Sequence, residues 1–164
     1  HGVAFADFDN DGDQDIFEQM GGVYRGDTYP SALYQNPGHG HHWLQLELVG
    51  TRSNRDGIGA RVTVTVRDGM VRGSTVRDGS APGTPGERRI HRRVGTGGSF
   101  GGSPLRLEIG LGACQAITRL EVFWPASGER QRFDDVRLDR RYEVREGHEQ
   151  LREISVARLT LGVP

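Results

Sequence analysis

The chain has 164 residues, among them 25 glycines and seven prolines, and a formal net charge of −1 at pH 7. This charge argues against a nucleic-acid-binding module, which normally carries a clear basic excess. All 21 basic residues are arginine, so the chain contains neither a P-loop lysine nor a lysine nucleophile. The single cysteine, Cys114, permits no internal disulfide, and no apolar run approaches the roughly 20 residues that a membrane-spanning helix needs.

The first element in chain order is an acidic loop in which aspartates alternate with other residues around Gly12. Five carboxylates so close together repel one another unless a hard cation neutralises them, and Ca²⁺ takes roughly 6–8 oxygen ligands. We therefore predict a calcium site. Counted from the glycine at position 6, its ligands are the side chains of Asp7, Asp9 and Asp11, the carbonyl of Asp13, and Asp15, which closes the shell. The alternative is an acidic, solvated turn.

The residues around this loop predict a β-hairpin rather than the two helices of an EF-hand. Residues 3–6 and 16–20 are short apolar runs of the strand type. A polar, glycine-rich link follows at 21–30, and a further short strand is predicted at 32–36. We expect residues 1–36 to form one unit. Because the chain starts at His1, directly before this first strand, we also expect it to be part of a longer protein.

The rest of the chain consists of short segments in which apolar and polar residues alternate. In one of them, Leu44, Leu46 and Leu48 alternate with Gln45 and Glu47, which predicts a strand with one buried and one wet face. Strands are predicted at 42–49, 58–66, 70–76, 88–94, 105–109, 117–124, 129–133 and 141–145. The sequence thus predicts an all-β chain with an antiparallel β-sandwich over 37–147. The tail, 148–164, is either a strand or a short helix.

A basic cluster lies on the predicted strand 88–94 and consists of Arg88, Arg89, Arg92 and Arg93. Alternation sends Arg89 and Arg93 to one side of this strand and Arg88 and Arg92 to the other. One interpretation is an edge strand whose charges prevent aggregation. The other is a site for an anionic glycan or an acidic protein, recognised by bidentate arginine contacts.

Two further polar groups are candidate sites. Arg55 and Asp56 lie in a turn directly before a regular strand; they either form that turn or bind a ligand. His39, His41 and His42 lie in the link between the two predicted units. Imidazoles at this spacing can ligate a transition metal, but a polar linker explains them equally well, and the sequence leaves the choice open.

The residues that surround the acidic loop, 3–17, resemble an FG-GAP or VCBS repeat of integrin-type β-propellers, in which aspartate-rich loops bind calcium. The segments 42–51, 53–62, 107–112 and 122–125 resemble, in the same order, the ASPIC/UnbV domain of cartilage acidic protein-like proteins and of many bacterial secreted proteins. The resemblance implies a partial propeller blade over 1–36. It also implies a calcium-stiffened extracellular protein that binds partners or mediates adhesion, with no established catalysis.

Three functional hypotheses follow. The first is a non-catalytic, calcium-binding module, extracellular or periplasmic, that recognises a protein or an anionic glycan and forms the C-terminal part of a larger secreted protein. The second is a structural cap or a packing module within an assembly of subunits. The third is a polysaccharide-acting enzyme whose acidic residues are not recognisable from the sequence. An arginine-lined groove would favour the first hypothesis, and an exposed apolar patch the second.

Overall fold

A computed structural model describes residues 2–22, 24–69, 86–97 and 101–161. These ranges contain strands but no helix, so the prediction of an all-β chain is confirmed. The strands are β1 (Gly2–Ala6), β2 (Asp15–Gln19), β3 (Ala32–Tyr34), β4 (His42–Val49), β5 (Arg61–Asp68), β6 (Glu87–Arg93), β7 (Leu107–Gly112), β8 (Cys114–Phe123), β9 (Arg130–Phe133), β10 (Arg140–Arg145) and β11 (Arg152–Ile154). The strand predicted at 70–76 lies outside the described residues. Within them, no helix is long and apolar enough to cross a membrane.

Two four-stranded sheets form the β-sandwich. The first has the order β11-β10-β4-β7 and the second the order β6-β5-β8-β9. Alternate apolar residues of both sheets meet in one core, because successive side chains of a strand point to opposite faces. Leu44 and Leu46 on β4 and Val62 and Val64 on β5 are all buried in this core. The predicted sandwich is therefore confirmed.

The first sheet is mixed rather than purely antiparallel. Strand β10 runs parallel to β4, with Arg141 opposite Gln45, whereas β7 is antiparallel to β4 on its other side. The sequence left open whether the tail forms a strand or a short helix. In the structure, residues 152–154 form the short edge strand β11 against β10.

The third sheet, β1-β2-β3, belongs to the N-terminal part of the chain. The loop between β1 and β2 lies on the outer face of the first sheet, where Gln45 donates a hydrogen bond to Asp7. The prediction that this face of β4 is wet was wrong for Gln45, whose exposed fraction is 0%. The acidic loop covers this side chain. The alternation of apolar and polar residues within β4 cannot show that another segment of the chain packs on its polar face.

Candidate metal centre

The acidic loop spans the residues between β1 and β2, whose pairing closes with Ala6 opposite Asp15. The Asp7 carboxylate accepts the backbone N–H groups of Asp11 and Gly12, both at 3.0 Å. Two residues have the left-handed conformation that such a tight loop requires, Asn10 with φ 59° and Gly12 with φ 101°. Asparagine and glycine tolerate this conformation best, so the sequence of the loop fits its backbone.

Three of the predicted ligands converge. Asp7, Asp9 and Asp15 each offer a carboxylate oxygen, and these oxygens all lie within 4.8 Å of one another. All three residues are buried, with exposed fractions of 5%, 1% and 1%. Since oxygen ligands lie about 2.3–2.6 Å from Ca²⁺, two ligands of one ion are at most about 5 Å apart. The arrangement fits one cation of this size.

The other two aspartates lie beside this group. Asp11 accepts the backbone N–H of Asp13 through Oδ1 at 3.1 Å and a hydrogen bond from Arg158 through Oδ2 at 2.7 Å. Asp13 was predicted to act through its carbonyl. Its Oδ1 is buried and has no hydrogen-bond partner among the described residues. Burial raises the pKa of Asp13 to about 6, and the negative charges of Asp11 and Asp15 contribute. A buried carboxylate oxygen without a partner is unusual in proteins, and a bound ion is one explanation for it.

Amide groups of side chains and of the backbone donate hydrogen bonds to the three converging carboxylates. Gln45 donates to Asp7 at 2.5 Å, and Gln35 donates to Asp9 at 2.6 Å. Asp15 accepts the backbone N–H of Phe8 at 3.0 Å and that of Asn36 at 2.8 Å. Burial raises the pKa of Asp7, and the hydrogen bonds from Gln45 and the loop backbone oppose this effect only in part.

A polar row on the outer face of the first sheet anchors the loop. Arg141, Gln45 and Glu108 lie side by side on β10, β4 and β7. Glu108 accepts the backbone N–H of Asp7 at 3.1 Å, and Arg141 donates to Gln45 at 2.7 Å and to Asn10 at 3.0 Å. Sequence reasoning did not assign this row to the site. The one feature of the sequence that could have indicated this row is that its three polar side chains occupy outward positions of their strands.

The C-terminal tail also contacts the loop. The backbone N–H of Leu159 donates to the carbonyl of Asp9 at 2.7 Å, and the Asn10 side chain donates to the carbonyl of Ala157 at 3.3 Å. Together with the ion pair between Arg158 and Asp11, these contacts make residues 157–159 a strap across the loop. This strap could not be predicted from the sequence, because it joins residues about 150 positions apart.

The remaining candidate residues lie elsewhere. Arg55 and Asp56 are exposed in the turn after β4, where the Asn54 side chain accepts the backbone N–H of Asp56 at 3.0 Å. His42 contacts Asp139 at 2.8 Å, whereas His39 and His41 line a cavity of about 420 Å³ beside Asp11 and Asp13. Among the described residues, no histidine belongs to a group that could hold a metal ion.

The basic strand, β6, divides as alternation predicts. Ile90 is buried in the core, so Arg89 and Arg93 lie on the outer face of the second sheet. Arg88 is held by Asp68 at 3.0 Å and by the carbonyl of Leu111 at 2.7 Å. Arg92 donates to the backbone carbonyl of His91 at 3.0 Å. The structure therefore does not bring the four arginines together as one cluster.

Comparison with known proteins identifies the sandwich. The family model described as ASPIC and UnbV matches residues 50–151, which is more than half of the chain. A comparison with curated proteins found no match. The matched range runs from the turn after β4 to the residue before β11, and thus contains the whole second sheet together with β7 and β10 of the first. The chain belongs to the ASPIC and UnbV family.

Proposed function

We propose that the chain is a calcium-binding, non-catalytic recognition module of a larger secreted protein, extracellular or periplasmic, and that residues 1–36 are a partial FG-GAP/VCBS-type repeat. One observation carries the proposal: the oxygens of Asp7, Asp9 and Asp15 lie within 4.8 Å of one another and are buried. Three carboxylates in this arrangement repel one another and lose hydration. A bound divalent cation offsets both costs.

The donor set is of the kind that calcium prefers. All the candidate ligands are oxygens, and neither histidine nor cysteine takes part, which favours calcium over zinc or copper. Asp7, Asp9 and Asp15 would hold the ion, and Asp11 and Asp13 are the neighbours that would complete its shell. Bound there, calcium would neutralise the loop and stiffen its attachment to the sandwich.

Calorimetric titration with calcium tests this proposal. We expect the chain to bind one ion with the affinity of an extracellular module, with a Kd of about 10⁻⁴ to 10⁻³ M. Asp9→Asn should weaken the binding at least tenfold, because it removes one of the three converging charges. Asp56→Asn, which removes an equal charge from an exposed turn, should leave the affinity unchanged. The absence of binding at about 5 mM calcium would refute the proposal.

An exposed apolar face favours a second candidate function, that of a packing module. On the third sheet Phe5 pairs with Ile16, and Ile16 pairs with Tyr34. These side chains, together with Val3, have exposed fractions of 36–56%. Such a patch is typical of a surface that another domain or subunit covers. Hydrogen exchange tests this: a longer stretch of the parent protein should protect the amides of β1–β3, and equal exchange in both chains would contradict it.

A further inference from the structure

The outer face of the second sheet carries an open groove of about 580 Å³. Strand register places four side chains in one row across it, since Arg93 pairs with Arg61, Arg61 with Phe123, and Phe123 with Arg130. Their neighbours in sequence, such as Val62 and Val122, are buried in the core, so this row points outward. We call these four residues the arginine row.

Phe123 organises the arginine row. The guanidinium of Arg130 lies 4.3 Å from the centre of the Phe123 ring, and that of Arg61 lies 5.9 Å from it. Both distances are within the range of cation–π contacts. An arginine stacked on a ring keeps its N–H edges free for hydrogen bonding, so the ring positions two guanidinium groups without consuming their donors.

The groove has an excess of positive charge. Among the described residues, five arginines line it, and the one acidic residue in its lining is Glu121. Within the described ranges, Arg61, Arg93 and Arg130 have no acidic partner within 4 Å, whereas Arg132 is paired with Asp134. A permanent charge without a counter-ion attracts anions from solution, so the arginine row has the charge that an anion-binding surface needs.

The dimensions and the chemistry of the groove favour a chain of sugars. The row crosses four strands and is therefore roughly 15 Å wide, which exceeds the size of one small anion. A protein interface normally has an apolar centre with aromatic anchors, and a single-stranded nucleic acid needs a free ring for base stacking. Here the aromatic ring of the row, Phe123, is already covered by Arg130.

We propose that the arginine row binds an acidic polysaccharide through its carboxylate or sulfate groups. This inference rests on the recognition role proposed above and names the surface and the class of ligand. Arginine forms bidentate hydrogen bonds with both kinds of group. The proposed site lies on β5, β6, β8 and β9. Of the basic cluster on β6, only Arg93 belongs to the arginine row.

Binding to immobilised polysaccharides tests the inference. The probes are heparin as the sulfated chain, polygalacturonate as the carboxylated chain, dextran as the neutral chain and an oligothymidylate as a phosphate polyanion. The triple variant Arg61→Gln, Arg93→Gln, Arg130→Gln should weaken binding to at least one acidic polysaccharide tenfold or more. A loss of heparin binding would identify sulfate as the group recognised, and a loss of polygalacturonate binding would identify carboxylate. Affinity should fall as salt rises from about 50 to about 300 mM, because salt screens exposed charges.

The matched control removes the same charge from another surface. Arg137, Arg140 and Arg152 are exposed and are paired with Glu153 or Glu143, and their replacement by glutamine should change the affinity less than twofold. Equal losses in both triple variants, tighter binding of the oligothymidylate than of either acidic chain, or no binding of either would overturn the inference. Circular dichroism checks the folding of both variants. Calcium titration of the unsubstituted chain separates the two proposals, since calcium binding without binding of either acidic polysaccharide refutes this one alone.

Discussion

The indole ring of Trp43 lies against the backbone of Gly12, so close that a Cβ added to Gly12 would come within 1.9 Å of the indole nitrogen. Gly12 also has a φ of 101°, which disfavours any side chain. One residue therefore makes the sharp turn of the acidic loop and permits its contact with the sandwich. The conformation of the loop and its docking on β4 depend on the same glycine.

The first prediction separates these two requirements. Gly12→Ala should destabilise the protein by about 2–4 kcal/mol, because it combines a strained backbone with a clash against Trp43. Gly26→Ala is the matched control, since Gly26 has a φ of 94° but nothing within 4 Å of an added Cβ. It should cost about 1 kcal/mol from backbone strain alone. Urea denaturation measures the free energy of unfolding of both variants. Equal losses of stability in the two would show that the contact with Trp43 contributes nothing.

The second prediction concerns Arg158, which donates to Asp11 at 2.7 Å from the C-terminal strap. Its positive charge competes with a cation for the Asp11 carboxylate. Arg158 has an exposed side chain, so the ion pair is a weak one. Arg158→Gln should therefore raise calcium affinity about two- to fivefold in calorimetric titration, and Arg55→Gln in a distant turn should not. A loss of affinity would instead mean that Arg158 positions Asp11 for the ion.

The third prediction concerns Glu146, a buried carboxylate at the end of β10 with an exposed fraction of 1%. Its Oε2 accepts the backbone N–H groups of Thr51, Arg52 and Ser53 at 2.7–2.8 Å. The hydroxyls of Ser53 and Ser127 bond to Oε1. Burial alone would raise the pKa of Glu146, but these hydrogen bonds outweigh it and hold the pKa far below the usual range.

Glu146→Gln should therefore lower the free energy of unfolding by about 2–4 kcal/mol at pH 7. The NH₂ group of the glutamine would face N–H and O–H groups that now donate to the carboxylate. A carboxylate whose pKa is lower in the folded state stabilises the fold above its unfolded pKa, about 4.3, and loses this effect as the pH falls. The gap between wild type and variant should thus shrink by about 1–2 kcal/mol at pH about 3. Urea denaturation at both pH values measures the gap. A constant gap would contradict the role of charge, and the exposed Glu149→Gln serves as the control.

Much of the fold could be predicted from the sequence, because its signals are local. The alternation of Leu44, Leu46 and Leu48 predicts a strand at 42–49, and β4 has these bounds. Leu44, Leu46 and Leu48 are all buried in the core. The other face of β4 could not be predicted in the same way. Trp43 and Gln45 lie under the acidic loop, and no period within one strand reports what a distant segment covers.

The candidate surfaces show the same limit. The aspartates of the acidic loop are neighbours in sequence, so their convergence follows from a spacing that can be read directly. The arginine row joins Arg61, Arg93 and Arg130 from three strands, and only the register of the sheet brings them together. The basic run on β6 was visible in the sequence, yet alternation and the ion pair between Arg88 and Asp68 disperse it.

The fourth prediction tests whether the sandwich is independent of the N-terminal unit. No described residue of 1–36 belongs to the apolar core cluster. Apart from Trp43, the side chains that the hairpin covers, such as Gln45 and Arg141, are polar and can be solvated. Deletion of residues 1–36 should therefore leave a folded protein. Its thermal midpoint should be about 5 °C lower, because the hydrogen bonds of Gln45, Glu108 and Arg141 to the loop are lost.

Calcium provides the readout that makes this deletion informative. The midpoint of the full chain should rise with calcium, since a ligand that binds only the folded state stabilises it by mass action, whereas the midpoint of the deleted chain should not respond. Trp43 should become exposed and its fluorescence should shift to longer wavelength. Full-length Asp9→Asn serves as the control, because it removes the calcium response while Trp43 stays covered by the loop. An unfolded deletion product would show instead that the hairpin completes the fold of the sandwich.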